Sequence, residues 1–153
     1  MRLKLRPELI LPGLLLLAFA MTSPPALSGQ YERFGPYAIH YNTFNTNQLT
    51  PDVARSYGIQ RSANRALLNI AVLRTVEDGL DIPVTARVTA TTTNLAGQRR
   101  ELEMVEVRDQ DAIYYIGSFR IHGEETLTFR LSVQPEEQGR SHEFSFRQQL
   151  YAQ

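Results

Sequence analysis

Three histidines, His40, His122 and His142, are the side chains of this sequence best suited to metal ligation or proton transfer. None lies at a short ligand spacing from another, and there is no cysteine to complete a zinc set. If the final hairpin brings Val133 opposite His142, His122 falls a full strand length away, beside the C-terminus. His40 alternates with Tyr37, Ile39 and Tyr41, so it takes the opposite face of their strand. A nucleophile would need a serine held beside a histidine and a carboxylate. Ser56, Ser62, Ser118, Ser132, Ser141 and Ser145 all lack the G-x-S-x-G elbow. Glu124-Glu125 and Glu136-Glu137 are expected in hairpin loops, where adjacent carboxylates are solvated. No catalytic residue, metal site or cofactor is therefore expected.

The segment most suggestive of binding is Asn42 to Asn69, where a polar loop and a short helix precede Arg61, Ser62, Asn64 and Arg65. Tyr41, Arg61, Ser62 and Asn64 are the candidate ligand residues, with His40 beside them. Arg61 would hold an anionic group through its planar fork, and Tyr41 would supply a flat wall. A structural role competes with this reading. The helix would then close one open end of the fold, with Val53, Tyr57 and Ile59 turned inward and Arg61 bonded to loop carbonyls.

The elements that position these residues are mostly strands. Gln30 to Phe34 and Tyr37 to Phe44 flank a Gly35-Pro36 turn. Thr50 as N-cap, Pro51 at the first helical position and Asp52 in the first turn predict a helix over about 51–57, ended by Gly58. Arg65 to Val76 is apolar enough to be a central strand or a crossing between sheets. Pro83 to Thr92 alternates, with Val84, Ala86, Val88 and Ala90 inward. From Arg99 to Arg108 the inward phase shifts from Leu102 and Met104 to Val105 and Val107, which predicts a β-bulge. Two further alternating runs carry Tyr115, Phe119 and Ile121, then Leu127, Phe129, Leu131 and Val133. The final strand carries Phe144, Phe146 and Leu150. Seven to eight strands joined by hairpin-length loops predict an all-β antiparallel sandwich with one short helix.

The N-terminus reads as an export signal. Arg2, Lys4 and Arg6 precede the 12-residue apolar stretch Leu9–Ala20, too short to span a bilayer, which needs about 20 residues. Pro24-Pro25 and the small residues Ala26 and Ser28 then fit a cleavage site. Cleavage between Ser28 and Gly29 is preferred over Ala20/Met21. The remainder, 29–153, is expected to form one domain, periplasmic or secreted, with stability drawn from its core alone.

Charge narrows the partners. Met1–Ser28 holds three of the 16 basic residues and one, Glu8, of the 16 acidic ones; 13 arginines against 15 carboxylates remain, a net of −2. That balance excludes the basic footprint of a nucleic-acid binder and gives no attraction to anionic membranes. No apolar run after the export signal is long enough to span a membrane.

Several blocks also carry a family resemblance: His40-Tyr41-Asn42, Leu49-Thr50-Pro51 with Val53-Ala54 and Tyr57, Arg61-Ser62, Asn69-Ile70, Asn94-Leu95 with Gly97-Gln98, and Ile113-Tyr114-Tyr115-Ile116. In this order they resemble an uncharacterised family of small secreted proteins of Gram-negative bacteria, a domain of unknown function. The likeness runs from about Tyr31 to Tyr151. It implies an immunoglobulin-like β-sandwich and no particular activity. The functional expectation is a non-catalytic binding or accessory module that contacts another envelope protein. Tyr114 and the Thr-rich strand Thr89–Thr93 would offer the surface or edge. The alternative is a small-ligand protein or hydrolase with its pocket between the short helix and the sandwich end.

Overall fold

The computed structural model describes residues 30–137 and 139–153; the expected export signal, Met1–Ser28, and its cleavage points lie outside the described residues. Two-residue alternation of apolar side chains folds them into ten strands. These are β1 (Gln30–Phe34), β2 (Tyr37–Asn45), β3 (Arg65–Thr75), β4 (Asp81–Pro83), β5 (Ala86–Asn94), β6 (Arg99–Leu102), β7 (Val105–Asp109), β8 (Ala112–Arg120), β9 (Glu124–Pro135) and β10 (His142–Tyr151). One sheet has the order β1-β2-β3-β8-β7, with β4 on the far half of β3; the other runs β10-β9-β5-β6. Every pairing is antiparallel. The two sheets share one apolar interior, with Leu68, Ile70 and Val72 of β3 and Phe129, Leu131 and Val133 of β9 fully buried. Each such side chain contributes about 1.5–3 kcal/mol relative to exposure. The protein is an all-β, immunoglobulin-like antiparallel sandwich.

The strand count exceeds seven to eight because two predicted strands are each divided by a crossing between sheets. Pro83 to Thr92 does not run through as one strand. Val84 N–H still bonds Val72 C=O at 3.0 Å in the first sheet, whereas Thr85 C=O already accepts from Glu136 N–H at 2.7 Å beside the second. Arg99 to Arg108 likewise splits into β6 and β7, which lie in different sheets. Its phase shift is therefore a crossing at Glu103-Met104 and not a β-bulge. Val105 and Val107 turn away from the shared interior, and Val105 is half exposed. Gly117 marks where that crossing passes over β8. A Cβ built there would meet Met104 Sδ at 2.6 Å and Glu103 O at 3.2 Å.

The helix α1 spans Pro51–Ser56, with Thr50 Oγ1 accepting from Val53 N–H at 3.4 Å and Gly58 in the left-handed region at φ 65°. Six residues are too few for a helix to hold by itself. Tertiary contact holds it, through Ala54 at 3% exposure. It forms an arm, Thr46 to Ser62, that lies on the outer face of the first sheet and not across an open end of the sandwich.

Candidate functional site

Along β2, β3 and β8 the residues that alternate with the core, Phe44, Leu67, Asn69, Tyr114 and Ile116, point outward and meet the arm. Val107 and Asp109 extend the same face on β7. Opposite them the arm presents Leu49, Val53, Tyr57 and Ile59, and between the two surfaces lies a groove of about 270 Å3. Its walls are chiefly apolar. Its polar groups are the Asn69 amide, the Tyr57 and Tyr114 hydroxyls and the Asp109 carboxylate. Desolvation, followed by the nearby Asp109 charge, raises the Tyr57 phenol above its ordinary value. The phenol therefore stays protonated and can donate toward that carboxylate.

The base of the arm is closed by hydrogen bonds. Thr46, wholly buried, accepts from Ser62 N–H at 3.0 Å and donates to Ser62 C=O at 3.3 Å. Arg61 donates to Asn47 C=O at 3.1 Å. Asn64 N–H donates to Ser62 Oγ at 3.1 Å, and Asn64 C=O accepts from Ile121 N–H at 2.9 Å. Arg61, Ser62 and Asn64 thus come together as the fastening of the arm. Tyr41 is not with them. It is 7% exposed between the sheets and stacks on Phe146, with ring centroids 4.4 Å apart. His40 faces outward and stacks on Tyr31 at 5.2 Å.

Of the candidate site residues, Tyr114 alone lines the groove, where it is half-buried; Val53, Tyr57 and Ile59, expected to turn toward the core, line the groove from the arm instead. The lining residues of the sheet were missed because their alternation was assigned to strands without asking what covered the outer face. Phe44, Leu67 and Ile116 were the available clue: three large apolar residues on the wrong phase for the core. Thr89–Thr93 lies on β5, an interior strand. The side of β5 away from β9 is covered by β6 at residues 90–93, and among the described residues no strand pairs there from Ala86 to Thr89.

The histidines stand apart. His142 pairs with Val133, whereas Glu124 pairs with Tyr151 at the other end of that ladder, next to His122. The His142 ring stacks on Phe34 at 4.6 Å. Among the described residues no three His, Cys, Asp or Glu side chains gather closely enough to hold a metal ion. No helix among them is long and apolar enough to cross a membrane.

These features define a β-sandwich with a recessed apolar surface outside the core, beneath a pinned arm. The family model of a domain of unknown function, DUF4426, matches residues 31–153, and the chain belongs to that family. The crystal structure of a DUF4426 family protein from Pseudomonas aeruginosa PAO1 is similar at 32% identity and a TM-score of 0.72, covering 82% of this chain and 96% of that one. Uropathogenic Escherichia coli FetP, crystallised after expression in the periplasm, shares the fold at 11% identity and a TM-score of 0.58, over 82% of this chain and 95% of that one. A copper-bound variant of FetP is similar at 11% identity and a TM-score of 0.57, over 82% and 91%. No curated protein matches the chain.

Proposed function

We propose that this protein is a non-catalytic binding module of the bacterial envelope, which seats apolar side chains of an extended partner segment in the groove beneath α1. The export signal expected over Met1–Ser28 supports the location. The groove carries the reading. Pockets for small molecules run from about 300 to 1,000 Å3, and 270 Å3 lies just below that range. A groove of this size takes one or two side chains more readily than a whole cofactor.

Its position supports the same occupant. The groove borders β7, the terminal strand of the first sheet among the described residues, and an added strand would pair with its outer backbone groups. Val53 and Val105, 39% and 51% exposed, flank it with apolar surface. Asp109 at the rim favours a basic residue next to the apolar one. A small amphiphile is the second occupant, in keeping with a pocket against the short helix.

Photo-crosslinking residues placed at Val53 and Val107 in intact cells test this, with Thr89 on the outer face of the other sheet as control. A protein adduct of one defined mass is expected from 53 and 107 and not from 89, and Tyr114→Ala in the same chain should diminish it. A lipid or small-molecule adduct would reassign the occupant. Equal labelling from all three positions, or none from the groove, overturns the reading.

A further inference from the structure

The two sheets are unequal in width. The first runs β1-β2-β3-β8-β7, the second only β10-β9-β5-β6. Tyr41 of β2 stacks on Phe146 of β10 at 4.4 Å, so β10 lies beneath β2 and the second sheet ends there. β1 therefore projects one strand beyond it. Pairing register puts Gln30, Glu32 and Phe34 on the face of β1 shared with Tyr41, Ile39 and Tyr37 of β2. Gln30 and Glu32 thus point to the interior side yet are exposed, whereas Tyr41 and Ile39 beside them are buried. Burial, followed by the Glu32 charge, raises the Tyr41 phenol above its ordinary value, in keeping with a carboxylate on that side. At this rim Phe34, Phe144 and Phe146 are only half-buried, whereas Phe129, one strand further in, is fully buried.

The outer edge of β10 suits another strand. β10 pairs with β9 along all 10 of its residues in unbroken register and contains no proline. Successive residues of an antiparallel strand turn their backbone groups to alternate sides. Ala152 N–H bonds Gly123 C=O at 2.8 Å, one rung beyond Tyr151 and Glu124. Even-numbered residues of β10 therefore bond to β9, and odd-numbered ones direct N–H and C=O outward. The Tyr151 carbonyl accepts from the Asn45 amide at 2.6 Å and the Gln149 carbonyl from the Gln148 amide at 3.0 Å, which agrees with this phase. Among the described residues the outward backbone groups of Glu143, Ser145 and Arg147 have no partner. Edges this long are usually blunted by proline, a bulge or a covering element.

We propose that β10 accepts one extended segment of a partner protein as an added strand, with a basic residue opposite Glu32 and an apolar residue two positions from it against Phe34 and Phe144. Strands in a sheet lie about 4.8 Å apart and packed sheets about 10 Å apart. A strand added to β10 consequently falls beneath β1, its inward side chains spaced like Phe34, Glu32 and Gln30. The inward carboxylate disfavours a wholly apolar strand and so discriminates among partners. A second copy presenting its own β10 does not fit, because the β2 above that strand would take the place of β1. This edge lies on the opposite side of the sandwich from β7, so Tyr114→Ala in the groove leaves it intact.

The test is selection of phage-displayed random nonapeptides on the protein, with counter-selection on Ser145→Pro. Proline is tolerated on an edge strand whose N–H faces outward, and here it removes the central donor of the edge. Enriched peptides are then made synthetically and titrated, read by calorimetry and amide chemical shifts. Peptides with a basic residue two positions from an apolar one are expected, with shifts centred on 30–34 and 143–147. Glu32→Lys should weaken them about tenfold, the scale of one lost charged hydrogen bond, and an acidic residue in place of the basic one should restore binding to that variant. Because Glu32 is exposed and outside β10, this exchange decides the matter even where proline disturbs the fold. No enrichment, shifts confined to the groove, or Glu32→Lys binding like the parent would overturn the proposal. A dimer in sedimentation that Ser145→Pro dissolves would overturn it too, by giving the edge to a second copy.

Discussion

Tyr115 joins the two sheets through a single hydroxyl. It is 4% exposed on β8, accepts from Ala86 N–H of β5 at 2.7 Å, and donates to the Glu106 carboxylate of β7 at 3.1 Å. Removing it leaves a buried N–H without a partner, so Tyr115→Phe should cost about 1–3 kcal/mol in denaturant unfolding. Burial, as the leading cause, raises the Tyr115 phenol above its usual value of 10.0. Its contribution is therefore complete below about pH 10 and is lost as pH climbs through the raised value. The Tm of the parent should fall over that alkaline range, and Tyr115→Phe should flatten the fall. Tyr37 adds a second joint, donating at 2.6 Å to Glu136, which also pairs with Arg74 at 3.7 Å and takes φ 53° in the turn after β9. That left-handed conformation is uncommon outside glycine. Gly117 has a different constraint, the close approach of the crossing chain. Gly117→Ala should destabilise by about 1–3 kcal/mol, the usual cost of overpacking, visible as a lowered urea midpoint at unchanged slope.

At the scale of elements, the arm over residues 46–62 is held to the sheet by few groups, and Thr46 is the central one. Thr46→Val keeps the shape and removes both bonds to Ser62. The expected outcome is faster amide exchange across 50–60 with slow exchange retained in β3 and β9, since local opening and global unfolding differ in free energy. Equal acceleration in all three segments would contradict a separately fastened arm. The sequence made α1 legible because caps are local: Thr50, Pro51 and Gly58 state the helix ends without reference to anything distant. It hid where the arm docks, because the outer face of β2, β3 and β8 is assembled from residues 23 to 72 positions apart. Period-two reasoning found the strands and their inward faces. It misread both sheet crossings, since a strand that changes sheets keeps its extended backbone, and Leu102–Val105 looks the same as a bulge. Arg61 and Ser62 were recognisable as special, yet their bonds to Asn47 and Thr46 depend on a loop closing back over 14 to 16 residues.

At the scale of the whole molecule, stability rests on the interior between the sheets, because the chain has no cysteine and hence no crosslink. That interior contains a run of aromatic rings. Phe119 of the first sheet meets Phe129 of the second edge-on at 5.6 Å, Phe129 stacks on Phe146 at 4.8 Å, and Phe146 stacks on Tyr41 of the first sheet. Phe129 is fully buried at its centre. Phe129→Ala should cost about 3–5 kcal/mol, through lost transfer energy and the cavity left behind, against a total of about 5–15 kcal/mol for a domain. Because the run begins and ends in the first sheet and passes through the second, neither sheet can keep its packing when the centre is lost. Unfolding should therefore remain a single transition, with far-ultraviolet dichroism and tyrosine fluorescence lost at the same lowered midpoint and reducing agent without effect on either. Two separated transitions in the variant would show instead that the sheets hold their structure independently, and that the aromatic run is not what joins them.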